Sequence, residues 1–235
     1  MYRMIVDSLI YITISRSDLS YAIGLVSQFM QLPRKPHLDV VRRIMRYVRA
    51  TLDYALLYDA GTQVHGYTDS NWAGSVSDRQ STNGYMFSFG SAAVTWSNKK
   101  QPTVALSSTE AEYRGAIVAA CEVAWLKMLL RDLEIQLQDL VVIYCDNIST
   151  IQLVRNSVFH ARMKHIEVHY HFIRERVLDG DIDLDYVGTE DRAADFTTKA
   201  LDAEKLLRRF REMLGLRDMA LSLRESVEIS SFMPT

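Results

Sequence analysis

The feature that most constrains the fold of this chain is a long apolar segment between residues 116 and 130. Only Glu122 and Lys127 are strongly polar within it. This pattern predicts an α-helix that is buried on most of its surface. The segment is too short and too charged to span a lipid bilayer. A chain of 235 residues, 48% of them hydrophobic, has enough apolar surface to enclose such a helix in a core.

Two carboxylates stand at the start of this predicted helix. Ser107 or Ser108 is suited to cap it, and Glu110 and Glu112 follow where the helix dipole favours negative charge. Complementing the dipole is a sufficient explanation for both acids when they are considered alone. A carboxylate in a buried helix also needs a compensating charge, which a metal ion supplies. Both interpretations stay open at this point.

The first 58 residues have helical patterns. Asp18 is suited to cap a helix with an apolar face, Pro33 and Pro36 interrupt it, and a second helix is predicted over residues 38–52. The polar side of this second helix is either an ordinary solvated face or a surface that binds phosphates. Its arginines are Arg42, Arg46 and Arg49.

The remainder of the chain alternates between strand and helix signals. Residues 65–69, 82–89 and 92–97 predict an antiparallel meander, and the apolar run 140–145 predicts a central strand covered on both faces. Together these elements predict an α/β fold, with a mixed five-stranded sheet, helices on its faces and a small helical segment before it. The later elements are predicted helices at 149–155 and 164–178, a strand at 182–187, a helix carrying Asp195 and a helix from about residue 203.

Four acidic residues lie at the ends of predicted strands or near the starts of predicted helices. Asp69 ends the first strand, Asp146 follows the central strand, Glu112 opens the long helix, and Asp195 lies early in a later helix. Sites in α/β sheets lie beyond the strand ends, so these side chains are expected to converge. Converging carboxylates repel one another unless cations lie between them, and oxygen ligands suit Mg²⁺. A pair of such ions is typical of phosphodiester hydrolysis.

The segments around these acids resemble the ribonuclease H domain of the Pol polyproteins of copia-type LTR retrotransposons. The resemblance extends to about Leu216, and residues 1–58 resemble the thumb or connection of the preceding reverse transcriptase region. It implies a helical remnant at 1–58, a ribonuclease H-like domain at 63–200, a C-terminal helix at 201–216 and a disordered tail at 217–235. The matching segments are residues 67–74, 106–113, 144–147 and 194–199, with further similarity at 164–166 and 173–175.

This resemblance implies hydrolysis of the RNA strand of RNA/DNA hybrids, with Asp69, Glu112, Asp146 and Asp195 as catalytic and metal-binding residues. Glu112 is preferred to Glu110 because the family's glutamate precedes a bulky residue and then small ones. By family analogy two Mg²⁺ ions, or Mn²⁺, are bound: Asp69 contacts both, Asp195 supports one, and Glu112 and Asp146 support the other. The implied partners are the hybrid and the reverse transcriptase region, without a membrane or a small-molecule cofactor.

Several polar residues are candidates for contacts with nucleic acid. Small groups beside the acids either detect the 2′-OH of RNA or serve as helix caps and turn residues. Two basic residues farther along either contact the hybrid backbone or are ordinary surface charges. The first set is Ser70, Asn71, Ser107, Ser108 and Asn147, and the second set is Arg162 and Lys164.

Two alternative functions are an inactive remnant and a nuclease of the transposase or resolvase type. A catalytically inactive, nucleic-acid-binding remnant of a decayed retrotransposon would have the same motifs, whereas transposase and resolvase nucleases lack the copia-type segments. His165 and His169 are four residues apart, as in some zinc sites, but the intervening glutamate is misplaced for H-E-x-x-H and a polar helix face is the alternative. The loop at 188–192 lacks the histidine of cellular ribonucleases H.

Charge and cysteine content indicate the expected environment. The net charge is −2, so nucleic acid must be met by local basic patches. Cys121 and Cys145 form no CxxC pair and are expected to stay reduced. The first residues lack the features of a signal peptide. We therefore expect an intracellular protein, located in a cytoplasmic retrotransposon particle or in the nucleus.

Overall fold

The computed structural model describes residues 1–59, 61, 63–75, 77–135, 137, 140–156, 167–188, 198 and 204–219, except for the side chains of 167–170 and 204–207. The helices are α1 (Tyr2–Ile12), α2 (Ser20–Ser27), α3 (Lys35–Ala50), α4 (Ser108–Asp132), α5 (Ile148–Arg155), α6 (Glu167–Leu178) and α7 (Glu204–Met213). The strands are β1 (Tyr54–Leu56), β2 (Val64–Asn71), β3 (Thr82–Phe89), β4 (Ala92–Lys100), β5 (Val141–Cys145), β6 (Ile182–Tyr186) and β7 (Leu216–Asp218).

The main sheet has five strands in the order β4-β3-β2-β5-β6. Strands β2, β3 and β4 form an antiparallel meander, whereas β5 runs parallel to both β2 and β6. In the β2–β5 register Tyr67 lies opposite Tyr144, so both strands end at the same edge of the sheet. The predicted mixed five-stranded sheet of an α/β protein is therefore confirmed.

Helix α4 covers one face of this sheet. Tyr113, Ala116 and Ala120 are fully buried in the same core as Phe87 and Ile143 from the strands. The prediction that the helix is buried on most of its surface is wrong for its second half. There, the side away from the sheet is exposed, including Trp125 (51%) and Met128 (55%).

The opposite face of β3 and β4 is covered by the C-terminal segment. Met86 and Ala93 form a core with Phe210, Leu214 and Leu216 from α7 and β7. Strand β7 then pairs antiparallel with β1, which lies within the segment predicted to be entirely helical. These short strands also differ from the predicted helix at 201–216 and the disordered tail from 217. The division into domains itself stays a prediction.

The N-terminal helices have their own apolar core, which includes Val6, Ile23 and Val41. The prediction that Asp18 caps the next helix is wrong, because α2 begins at Ser20 and has no side-chain cap. The predicted helix at 38–52 is observed at Lys35–Ala50. It begins earlier because a proline is tolerated in the first turn, where its missing N–H would have no partner within the helix.

A buried polar network connects these helices to α7. Asp18 forms a salt bridge with Arg16 (2.8 Å) and accepts a hydrogen bond from the Tyr47 hydroxyl (2.6 Å). Arg211 donates its Nε–H to the same hydroxyl (3.2 Å), and its guanidinium lies over the rings of Tyr47 and Tyr54. Burial, with the nearby Asp18 charge, raises the pKa of Tyr47 to about 12.

The Tyr47→Phe substitution tests this network. It removes a donor to a buried carboxylate, so we expect the free energy of unfolding to fall by about 1–2 kcal/mol at neutral pH. Because the folded-state pKa of Tyr47 exceeds the unfolded value of about 10, its contribution persists below pH 10 and is lost as pH rises toward 12. The difference between parent and variant in urea unfolding should therefore shrink above about pH 10. Tyr11→Phe, at a 75% exposed tyrosine, is the control; a difference independent of pH would contradict the assignment.

Candidate metal centre

Two of the predicted acids lie at one edge of the sheet. Asp69 is near the end of β2 and is only 1% exposed, and the half-buried Asp146 directly follows β5. Each stands two residues beyond the paired positions Tyr67 and Tyr144. Since β2 and β5 are parallel neighbours, their ends carry both carboxylates to the same edge.

Helix α4 carries the third acid to this edge. Its cap is Ser107, whose hydroxyl accepts a hydrogen bond from the Glu110 N–H (3.1 Å). Glu112 is 6% exposed, and its Oε1 accepts a hydrogen bond from the Ser70 N–H (3.2 Å). Glu112 is thereby held beside the residue that follows Asp69.

Glu110 has a different role at the start of α4. Its Oε2 accepts a hydrogen bond from the Leu106 N–H (2.9 Å), and its Oε1 forms a salt bridge with Arg114 (2.7 Å). Both oxygens therefore contact groups of the helix start. This geometry agrees with the preference for Glu112 as the site acid, which stays a prediction.

Cys145 lies among the acids. One donor atom each from Glu112, Cys145 and Asp146 lie within 4.8 Å of one another. Burial raises the pKa of the Cys145 thiol to about 12, and the charges of Glu112, Asp146 and Asp69 add to the effect. Without a bound cation the thiol is therefore neutral at physiological pH. Carboxylate oxygens suit a hard divalent cation, whereas a neutral thiol is a poor ligand for one, so the donor set fits an ion such as Mg²⁺.

Thr198, which is not among the predicted site residues, also reaches this group. Its hydroxyl donates a hydrogen bond to Asp69 Oδ2, and the residue is fully buried. A signal was present, because residues three apart in a helix share a face and Thr198 follows Asp195 by three. Asp195 itself lies outside the described residues, as do Arg162, Lys164 and His165; the side chain of His169 is likewise not described.

A buried polar network supports the first turn of α4. The Ser70 Oγ lies 2.9 Å from both the Asn83 Oδ1 and the Ala111 carbonyl oxygen. The Gln101 Nε2 donates to the same two acceptors. The sequence offered no signal for Asn83 or Gln101, because neither stands near the acids along the chain. Ser70 is 6% exposed, and its predicted contact with nucleic acid stays a prediction.

The other residues predicted to contact nucleic acid lie either at helix caps or at more exposed positions. Ser107 caps α4 and Asn147 caps α5, as expected if these residues serve as helix caps rather than contacts to RNA. The Asn147 Oδ1 accepts a hydrogen bond from the Thr150 N–H (2.9 Å). Ser108 is exposed and Asn71 is half-exposed. The exposed face of α3 carries Arg42, Arg46 and Arg49. All of these nucleic-acid contacts stay predictions.

A cleft of about 620 Å³ opens beside the acids. Tyr21 and Gln28 line one side of it, and Asn71 and Lys100 line another. Thr198, which donates a hydrogen bond to Asp69, is also among its lining residues. The N-terminal helices thus contribute a wall to the cleft that adjoins the candidate metal centre.

Gly115 permits the close approach of α4 to β2. A Cβ at this position would lie 2.6 Å from Ser70 Oγ, whereas one at Gly24 in α2 would lie 3.7 Å from its nearest neighbour. We expect Gly115→Ala to lower the free energy of unfolding by about 1–3 kcal/mol through overpacking. Gly24→Ala should instead raise it by up to about 1 kcal/mol through helix propensity. Urea unfolding of both variants tests this, and a Gly115→Ala variant as stable as the parent would contradict the packing argument.

Within the described residues, no helix combines the length and apolar composition that crossing a membrane requires. Both cysteines are free thiols.

Comparison with known proteins identifies the family. No family model matches the chain. It is 45% identical over 202 residues to the retrovirus-related Pol polyprotein from transposon RE2 of Arabidopsis thaliana, covering 85% of this chain and 14% of the relative. It is 41% identical over 206 residues to the corresponding polyprotein from transposon TNT 1-94 of Nicotiana tabacum, covering 87% and 15%. The chain thus spans about a seventh of the length of these relatives.

Among solved structures, the chain is similar to LC11-RNase H1 in complex with an RNA/DNA hybrid, at 14% identity and a TM-score of 0.43, over 57% of this chain and 91% of that one. The ribonuclease H-like α/β class predicted from the sequence agrees with the strand order of the sheet. The identity to the transposon proteins extends over most of the chain, including the segments that carry Asp69, Glu112 and Asp146 in the sheet-edge group. The chain belongs to the family of the retrovirus-related Pol polyproteins of copia-type transposons, of which it corresponds to one segment.

Proposed function

We propose that this segment is a ribonuclease H that hydrolyses the RNA strand of RNA/DNA hybrids with the help of two divalent cations. The observation that carries this proposal is the close approach of Glu112 and Asp146 at the edge of the sheet where β2 brings Asp69, whose neighbour Ser70 donates its N–H to Glu112. A nuclease activity is supported by the family. The hybrid substrate and the requirement for two ions go beyond what the family alone supports.

Electrostatics favours a cation at this edge. Buried carboxylates that lie close together repel one another, and a divalent ion removes this repulsion. Asp69, Glu112 and Asp146 would hold Mg²⁺, and Mn²⁺ accepts the same oxygen ligands. When bound, such ions supply positive charge to the phosphate and lower the pKa of a bound water.

Asp195 is proposed as the fourth acid. Thr198 contacts Asp69, and three residues of chain span at most about 11 Å. The short covalent distance between Thr198 and residue 195 is compatible with the family-derived assignment, which stays a proposal. The part of Asp195 in binding the cations is also a proposal.

The contribution of the protein is to hold these acids in place before substrate arrives. The Ser70 N–H holds Glu112 Oε1, and the Thr198 hydroxyl holds Asp69 Oδ2. Side chains fixed in this way lose little freedom when a phosphate and its cations bind, which lowers the cost of positioning the reacting atoms.

The neighbouring cleft suits a nucleic-acid strand. Asn71, Gln28 and Lys100 supply polar groups for a sugar-phosphate backbone, and Tyr21 supplies an aromatic ring. The exposed arginines of α3 add local positive charge, which a chain with a net charge of −2 needs in order to attract phosphates. The remainder of the polyprotein, including its reverse transcriptase region, is the proposed partner that would deliver the hybrid.

Cleavage of a labelled RNA/DNA hybrid tests the proposal. The parent should cut the RNA strand when Mg²⁺ is present and not when it is chelated. Asp146→Asn should lower the rate at least about a hundredfold, which corresponds to about 3 kcal/mol of lost transition-state stabilisation. Asp179→Asn, at an exposed aspartate after α6, is the matched control and should cut like the parent.

Two outcomes would contradict the proposal. If the parent binds the hybrid but never cuts it, the chain is a nucleic-acid-binding remnant without catalysis. If both aspartate variants cut equally well, Asp146 is not part of the catalytic group. Duplex RNA and duplex DNA serve as substrate controls, because cleavage of either at the same rate would contradict the specificity for hybrids.

A further inference from the structure

The contact between Thr198 and Asp69 joins two parts of the chain that are 129 residues apart. Asp69 is 1% exposed and Thr198 is fully buried, so water does not compete for this hydrogen bond. The hydroxyl donates to one carboxylate oxygen, Oδ2.

The rotation of the Asp69 carboxylate about χ2 is the property that this bond controls. An aspartate χ2 angle has a broad, roughly two-fold preference, so its own rotamer does not define where the two oxygens point. Threonine is β-branched and stiff at χ1, and Thr198 is enclosed by protein. A hydroxyl held in this way sets the direction of the oxygen to which it donates. The other oxygen of Asp69 is then oriented as well.

Cations bound by Asp69 would depend on this orientation. Groups that hold a metal-binding carboxylate in place typically change metal affinity by a factor of about 10–100 when they are removed. We propose that Thr198 is a positioning residue, whose hydroxyl orients the Asp69 carboxylate for the divalent cations of the proposed nuclease. The inference rests on the proposed function, and it assigns to Thr198 a role that the family motif around Asp195 does not specify.

A merely structural role for Thr198 makes a different prediction. If the residue matters only because its methyl group fills the core, then Thr198→Val, which keeps the shape and removes the donor, should bind metal like the parent. Thr198→Ser, which keeps the donor and removes the methyl group, should then be the weaker variant. The pair of substitutions therefore separates hydrogen bonding from packing.

The experiment measures Mn²⁺ binding by calorimetry without substrate, and the Mg²⁺ concentration that gives half-maximal cleavage of the hybrid. We expect Thr198→Val to weaken Mn²⁺ binding by about 10–100-fold and to raise the half-maximal Mg²⁺ concentration by a similar factor. Thr198→Ser should recover most of both. If Thr198→Val fails to fold, Thr198→Ala replaces it in the same comparison with Thr198→Ser.

Thr95→Val is the matched control. Thr95 also donates its hydroxyl to a carboxylate, Glu122 Oε1 (2.6 Å). Glu122 stands ten residues after Glu112 along α4, which is about 15 Å of helix. This variant removes the same kind of bond away from the acids, so it should bind Mn²⁺ and respond to Mg²⁺ as the parent does.

The outcomes separate this inference from the proposed function. If the parent cuts the hybrid and Thr198→Val retains the metal dependence of the parent, the positioning role is wrong and the nuclease proposal stands. If Thr198→Ser is impaired as strongly as Thr198→Val, packing rather than the hydroxyl is responsible, and the inference is again wrong. If the parent itself neither binds Mn²⁺ nor cuts the hybrid, both proposals are wrong.

Discussion

The main physical constraint on this structure is the burial of several negatively charged carboxylates at one edge of the sheet. Asp69 and Glu112 are almost completely buried, and Asp146 adds a third carboxylate to the same edge of the sheet. Such a group is unfavourable in a folded protein without compensation, because burial and mutual repulsion both disfavour the charged forms. The surrounding hydrogen bonds and a bound cation are the available sources of that compensation. Three features position these acids. They are the polar network around Ser70, the close approach of α4 to β2 at Gly115 and the parallel pairing of β2 and β5.

Cys145 shows how the same electrostatics acts on a neighbouring group. Its sulfur lies within 4.8 Å of a carboxylate oxygen of both Glu112 and Asp146. Burial and the nearby negative charges keep the thiol protonated when no cation is bound. A neutral, polarisable sulfur is a weak ligand for a hard cation. Cys145 therefore contributes packing between the core and the acids, and the carboxylate oxygens are the better donors for the proposed divalent cation.

The N-terminal helices are integrated with the sheet in this structure. Trp96 in β4 donates its indole N–H to the Thr13 carbonyl oxygen (3.0 Å), β1 pairs with β7, and Arg211 contacts Tyr47. These contacts place α2 beside the sheet, where it forms one wall of the cleft next to the acids. A segment that resembles the end of a polymerase region by sequence thus shapes the surroundings of the candidate nuclease site.

The sequence by itself determined the elements whose signals are local. The serine cap at position 107 or 108, the strand at Thr82–Phe89 and the positions of Asp69 and Asp146 near strand ends follow from patterns that extend over a few residues. Periodicity and capping are properties of neighbouring residues, so they can be recognised without knowing the fold. The resemblance to copia-type proteins added the identity of the acids, which local patterns alone left open.

Only the tertiary structure decided the contacts between distant parts of the chain. Three contacts have no local signature in the sequence. They are the pairing of β1 with β7, the salt bridge of Asp18 with Arg16, and the contact of the buried Ser70 with Asn83. Thr198 illustrates the same limit, because its partner Asp69 lies 129 residues away. Such contacts are selected by which surfaces the completed core brings together, and that selection depends on the packing of the whole chain.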